Sequence, residues 1–108
     1  MALTSVTHEG VHRFAIHCDT CDRPITDAAQ GNSVWVEGEG SGPAYVVHKG
    51  DCQRAMAATL GVDDNGLGTD ELAYLPTRLE TAMGVDPEKA RAGAAFLDRL
   101  RAIPSKGV

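Results

Sequence analysis

At 108 residues the chain has room for one domain, or one small domain with an appendage, and ten Lys and Arg against fifteen Asp and Glu give a formal net charge of −5 and a pI near 5.2. That length excludes a multidomain enzyme, and that charge argues against an anionic membrane or a nucleic acid as partner. The 43% hydrophobic content is weighted by 15 Ala, while Leu, Ile, Val and Phe together number only 22. A core this thin, with 12 Gly raising the cost of ordering the chain, calls for a staple.

In chain order, residues 1–10 show no periodicity and are expected to be a flexible lead-in. Val11 to Ile16 alternates well enough for a strand that runs into His17-Cys18-Asp19-Thr20-Cys21. Val34 to Glu37 and Ala44 to Val47 read as two strands around Gly38-Glu39-Gly40-Ser41-Gly42-Pro43, a hairpin tip. A helix is predicted from Asp51 as N-cap, with Cys52, Met56 and Leu60 at four-residue spacing and Gly61 just beyond its end. Residues 63–68 read as a polar link. A helix capped by Thr69 then carries Leu72, Leu75, Leu79 and Met83, is bent at Pro76 and ends at Gly84. Asp86 and Pro87 open a last helix to about Ile103, with Ala90, Gly93, Phe96, Leu97, Leu100 and Ile103 as its apolar stripe.

All three cysteines fall into one pattern: Cys18-x2-Cys21 and, after 26 intervening residues, His48-x3-Cys52. Two thiolates in one tight turn can grip a single ion, and a hairpin brings the second pair alongside, giving three sulfurs and a nitrogen for tetrahedral Zn²⁺. The helix N-terminus is expected to favour the Cys52 thiolate. An odd cysteine count and the lack of a leader-like segment point to the reducing cytoplasm rather than to a disulfide framework. Seven Arg to three Lys, with abundant Ala, Gly and Asp, fits a high-GC bacterial genome.

Residues 14–61, with this knuckle, hairpin and helix-borne ligand pair, resemble a treble-clef zinc finger, the unit also found in each half of LIM-type modules. The usual second pair is spaced x2, not x3, and no second zinc module follows. The resemblance implies a structural zinc. The expected fold class is therefore α+β: a zinc-stapled treble-clef-like unit over 11–62, followed over 63–108 by a C-terminal helical hairpin packing on that unit or on a partner. A small core around Phe14, Val36 and Val46 is expected to close the zinc unit.

Other patterns carry less. His8-Glu9-Gly10-Val11-His12 matches H-E-x-x-H, which makes a zinc-protease site only on a helix, and Gly and Val at its centre argue for a solvated segment. His12 and His17 are the substitutes should His48 not ligate. Asp63-Asp64-Asn65-Gly66 lacks the first and twelfth ligands of a calcium loop. Trp35 and Tyr45 read as cross-strand packing before a stacking platform. Glu37, Glu39, Asp51, Asp63 and Asp64 read as a solvated acidic surface.

A closed Cys3His shell has no open position for a reacting water, so no catalysis is expected. Residues 1–60 carry −3 and residues 61–108 carry −2, so neither half is a platform for phosphates. The reading is a protein acting by contact with an unidentified protein partner, with homodimerisation through the helical tail. A nucleic-acid-binding regulator and a zinc-thiol redox sensor are the alternatives.

Overall fold

The computed structural model describes residues 3–102. They form a mixed α+β fold of two small antiparallel sheets and three helices. Strand β1 (Leu3–His8) pairs along its whole length with β2 (Val11–Ile16). A second sheet has the order β4-β3-β5, from β3 (Gly31–Val36), β4 (Tyr45–His48) and β5 (Leu67–Glu71). Helix α1 (Asp51–Leu60) follows β4, and α2 (Leu75–Met83) and α3 (Pro87–Ala102) follow β5.

Of the stretch expected to be a flexible lead-in, Met1 and Ala2 lie outside the described residues and Leu3–His8 is a strand. Its residues are Leu-Thr-Ser-Val-Thr-His, rich in β-branched side chains, and it turns back on itself at Glu9 (φ 52°) and Gly10 (φ 79°). Two successive positive φ values make the tight two-residue turn whose twist suits a hairpin. The H-E-x-x-H pattern spans this turn, and Thr7 pairs with His12 and His8 with Val11 across it. Opposed residues share a face and neighbours alternate, so the two histidines lie on opposite faces of the ribbon, not on one side of a helix.

The hairpin and the helix over 51–60 form as the sequence predicts, except that β3 starts three residues earlier, at Gly31 and not Val34, and β4 is shifted by one, to Tyr45–His48. Gly61, at φ 75°, closes α1 with its N–H on Ala57 and Ala58 carbonyls. The N-cap is Gly50, and Asp51 is the first helical residue, paired with Arg54. The link over 63–68 and the helix start at Thr69 are overturned: Leu67–Glu71 pairs antiparallel with the free edge of β3. This segment has no apolar alternation to reveal it, and its pairing is made by tertiary contact. Helix α2 begins only at Leu75, with Pro76 in its first turn, where the absent N–H costs nothing.

The buried core is Cys18, Ile25, Val34, Val47, Met56, Ala57, Leu67 and Leu72. The expected centre of Phe14, Val36 and Val46 is corrected on each count. Phe14 lies on the isolated ribbon and is 66% exposed, while Val36 and Val46 are half-buried. Register explains the choice: Asn32 faces Val47 and Val34 faces Tyr45, so Val34 and Val47 share the sheet face turned to α1. Asn32 Nδ2 donates to Gln53 Oε1 at 2.7 Å across that layer.

Asp86 caps α3 as predicted, accepting from the N–H groups of Glu88 (3.0 Å) and Lys89 (3.3 Å). The helix does not bury its stripe in a helical hairpin, however. Every residue from Pro87 to Arg101 is exposed, Phe96, Leu97 and Leu100 included. Ile103 lies outside the described residues. No helix among them is long and apolar enough to cross a membrane.

Candidate metal centre

Cys18 and Cys21 stand in a turn closed by its own backbone. The Cys18 N–H donates to the Arg23 carbonyl and the Asp22 N–H to the Cys18 carbonyl, each at 2.9 Å. Asp22 takes φ 61°, the left-handed region that Asp tolerates better than most residues. Beyond the turn, Ile25 N–H returns to the Ile16 carbonyl at 2.7 Å. His48 ends β4. Gly50, at φ 84°, reverses the chain between it and Cys52 in the first turn of α1. That glycine absorbs the third spacer residue of His48-x3-Cys52 and lets both side chains face the knuckle.

The ligand atoms of Cys18, Cys21, His48 and Cys52 all lie within 4.8 Å of one another. Bonds of about 2.3 Å to sulfur and 2.0 Å to nitrogen put tetrahedral edges at about 3.5–3.8 Å, so the cluster needs only a small contraction to close on an ion. His48 Nδ1 already stands 3.4 Å from Cys21 Sγ. Such a Cys3His cluster can bind a metal ion. His17 is turned elsewhere, its Nδ1 3.1 Å from the Asp22 carbonyl oxygen.

Two residues that sequence reasoning missed hold the parts together. Asp19 clamps the knuckle to β4: its N–H donates to the Val46 carbonyl at 2.7 Å and its carboxylate accepts from the Val46 N–H at 2.8 Å. Thr20 clamps it to α1, its hydroxyl donating to the Cys52 carbonyl at 2.8 Å. Both partners are distant in sequence, so nothing local signals either bond.

The metal-free thiols are strongly differentiated. Burial pushes the Cys18 thiol up, but donation from the backbone of Cys21, His48 and Thr20 and from the His48 side chain outweighs it, and the pKa falls from 9.0 to about 6. The Thr20 and His48 N–H groups each lie 3.4 Å from Cys18 Sγ. Cys52 goes the other way, to about 11. Desolvation raises it first, then hydrogen bonding to Cys18 and Cys21 and the repulsion of their charges. The expected help from the helix N-terminus is thus overridden by desolvation and by two neighbouring sulfurs. A bound cation would reverse that repulsion, because it replaces like charge with opposite charge at the centre of the three thiols.

Trp35 and Tyr45 do not form a cross-strand pair. Tyr45 opposes Val34 and Trp35 opposes Gly68, which puts the two rings on opposite sheet faces. Glu37 and Glu39 border an open cleft of about 830 Å³ at the hairpin tip, which none of the four ligands lines. Asp63 accepts from the Gly66 N–H at 2.9 Å and serves as a local turn cap.

No known protein family, curated protein or solved structure matches this chain.

Proposed function

We propose that the chain is a small zinc-stapled module in which Zn²⁺, held by Cys18, Cys21, His48 and Cys52, plays a structural part, and which acts by contact with another protein rather than by catalysis. The observation that carries this reading is the convergence of four donors from the knuckle, β4 and α1 within 4.8 Å. Three thiols and an imidazole are the donors of a closed tetrahedral shell, which leaves no position for a reacting water. The order of knuckle, hairpin and helix supports the treble-clef resemblance.

The contact half of the proposal rests on α3. Its exposed Phe96, Leu97 and Leu100 have no described partner, and a helix of this kind gains stability by burying its apolar face. Metal analysis of the reduced protein, with and without a thiol-modifying agent, tests the first half: one zinc per chain is expected, and well under one equivalent refutes it. Leu100→Glu tests the second by sedimentation. It should weaken association and leave zinc content intact, and unaltered association removes α3 from the contact.

A further inference from the structure

Among the described residues the β1–β2 ribbon is a sheet of its own, with no strand paired to the β4-β3-β5 sheet. Two-stranded ribbons are marginal in water, and a third strand or a covered face is what secures them. The closing pair of its two-residue turn, His8 and Val11, sets which backbone groups face inward. Alternating from there, Thr4, Val6 and His8 direct their N–H and C=O groups to β2, whereas Leu3, Ser5 and Thr7 direct theirs to the open edge. Among the described residues no backbone hydrogen bond reaches those outward groups.

That edge lacks the usual guards. Leu3 to His8 contains no Pro, no Lys, no acidic residue and no bulge, and natural edge strands commonly use such features to prevent pairing. The ribbon also carries exposed Leu3, Val6, Val11 and Phe14. The molecule as a whole has surface to lose. A folded monomer of 11.4 kDa is expected to expose about 5,800 Å², and this one exposes 7901 Å². Part of that surplus lies on the ribbon, in the 46–66% exposure of Leu3, Val6, Val11 and Phe14.

We propose that β1 is a dimerisation edge and pairs antiparallel with β1 of a second copy, about a two-fold axis at Ser5. The register follows from the outward groups: Ser5 opposes its own copy, and Leu3 opposes Thr7 of the second chain on either side. About six main-chain hydrogen bonds close the seam, and the product is a four-stranded sheet. No charged side chain meets another across it. Val6 and Thr4 pair on one face, and Leu3 and Thr7 on the other. The inference rests on the protein-contact reading above and deepens it by naming a second copy as a partner, with a seam on β1 in addition to the α3 contact.

Sedimentation of the zinc-loaded full-length protein at about 100 μM tests it, since a dimer with a Kd of ~10 μM would be largely associated there. Ser5→Pro removes an outward N–H and spares the bonds to β2, so it should raise the dissociation constant at least about tenfold with zinc content unchanged. Ser5→Lys, which folds irrespective of proline, places two cations on the axis and should weaken the dimer in a way that added salt partly reverses. Amide exchange should show Leu3, Ser5 and Thr7 protected in proportion to dimer. A wild-type monomer at this concentration, or a dimer indifferent to both Ser5 variants, overturns the proposal. A dimer dissolved by Leu100→Glu and not by Ser5→Pro overturns it while leaving the α3 contact standing.

Discussion

Cys21→Ser isolates what the metal contributes. Cys18 is the wrong place to ask, because it is 1% exposed and a member of the core, so its loss would mix packing with ligation. Cys21 is only half-buried and sits outside the buried set, so its truncation removes little packing. The expected effect is therefore set by zinc. Structural zinc contributes about 10–16 kcal/mol to small folds, against about 5–15 kcal/mol of total stability for a domain of this size. With a core of eight buried residues, none larger than Met or Leu, the zinc unit has no reserve to absorb that loss. Cys21→Ser should lose tight zinc binding and the fixed structure of residues 11–61. Val34→Ala is the control, two methyls from a fully buried site costing about 2–3 kcal/mol with zinc retained. The assays are zinc per chain by chelator titration and denaturant unfolding followed by circular dichroism. A Cys21→Ser protein that holds a full equivalent of zinc, or unfolds within about 1 kcal/mol of wild type, would refute the reasoning.

Three further outcomes are expected. In the metal-free fold the Cys18 thiol is depressed from 9.0 to about 6 and is already the thiolate that ligation needs at pH 7.5, whereas Cys52, raised to about 11, must lose its proton on binding; zinc uptake at pH 7.5 should therefore release protons, and uptake without proton release would contradict this. Gly68→Ala should destabilise by about 1–3 kcal/mol, since a Cβ there collides with the Trp35 indole and the Glu37 carboxylate, and the fluorescence of this single tryptophan should report the displacement; an unshifted spectrum with unchanged stability would show the indole free to yield. His8→Ala and His12→Ala should leave zinc content unchanged, and a loss of half the metal on either would bring the ribbon into the site.

What was legible in the sequence was what depends on local chemistry. The two ligand pairs announce themselves by spacing, α1 by its four-residue period and Gly61, and α3 by Asp86-Pro87. The rest was decided by contacts between distant segments. Strand β5 exists because β3 has a second edge, not because Leu-Gly-Thr-Asp-Glu favours extended structure. Gly68 sits in it because Trp35 and Glu37 occupy the space a side chain would need. Facing valines cannot be sorted without the pairing register: it puts Val46 on the face opposite Val34 and Val47, while Val36 shares their face but lies beyond the last β3–β4 pair, Val34 with Tyr45, and is only half-buried. Asp19 and Thr20 look like ordinary turn residues until the knuckle is seen against β4 and α1.

The same contacts tie the metal site to the ribbon. Strand β2 runs through Ile16 and His17 directly into Cys18, and the return of Ile25 to the Ile16 carbonyl and the pairing of His17 with Pro24 carry the knuckle's geometry back into the end of the ribbon. The knuckle in turn is fixed to β4 through Asp19 and to α1 through Thr20. An ion drawing Cys18, Cys21, His48 and Cys52 together would thereby fix both the small core and the direction in which the ribbon leaves it. In a chain with so few large apolar residues, an anchor at that junction can do two things at once: close the core and hold β1 in one orientation, so that its open edge is presented pre-ordered and the entropy of aligning it is not charged against pairing.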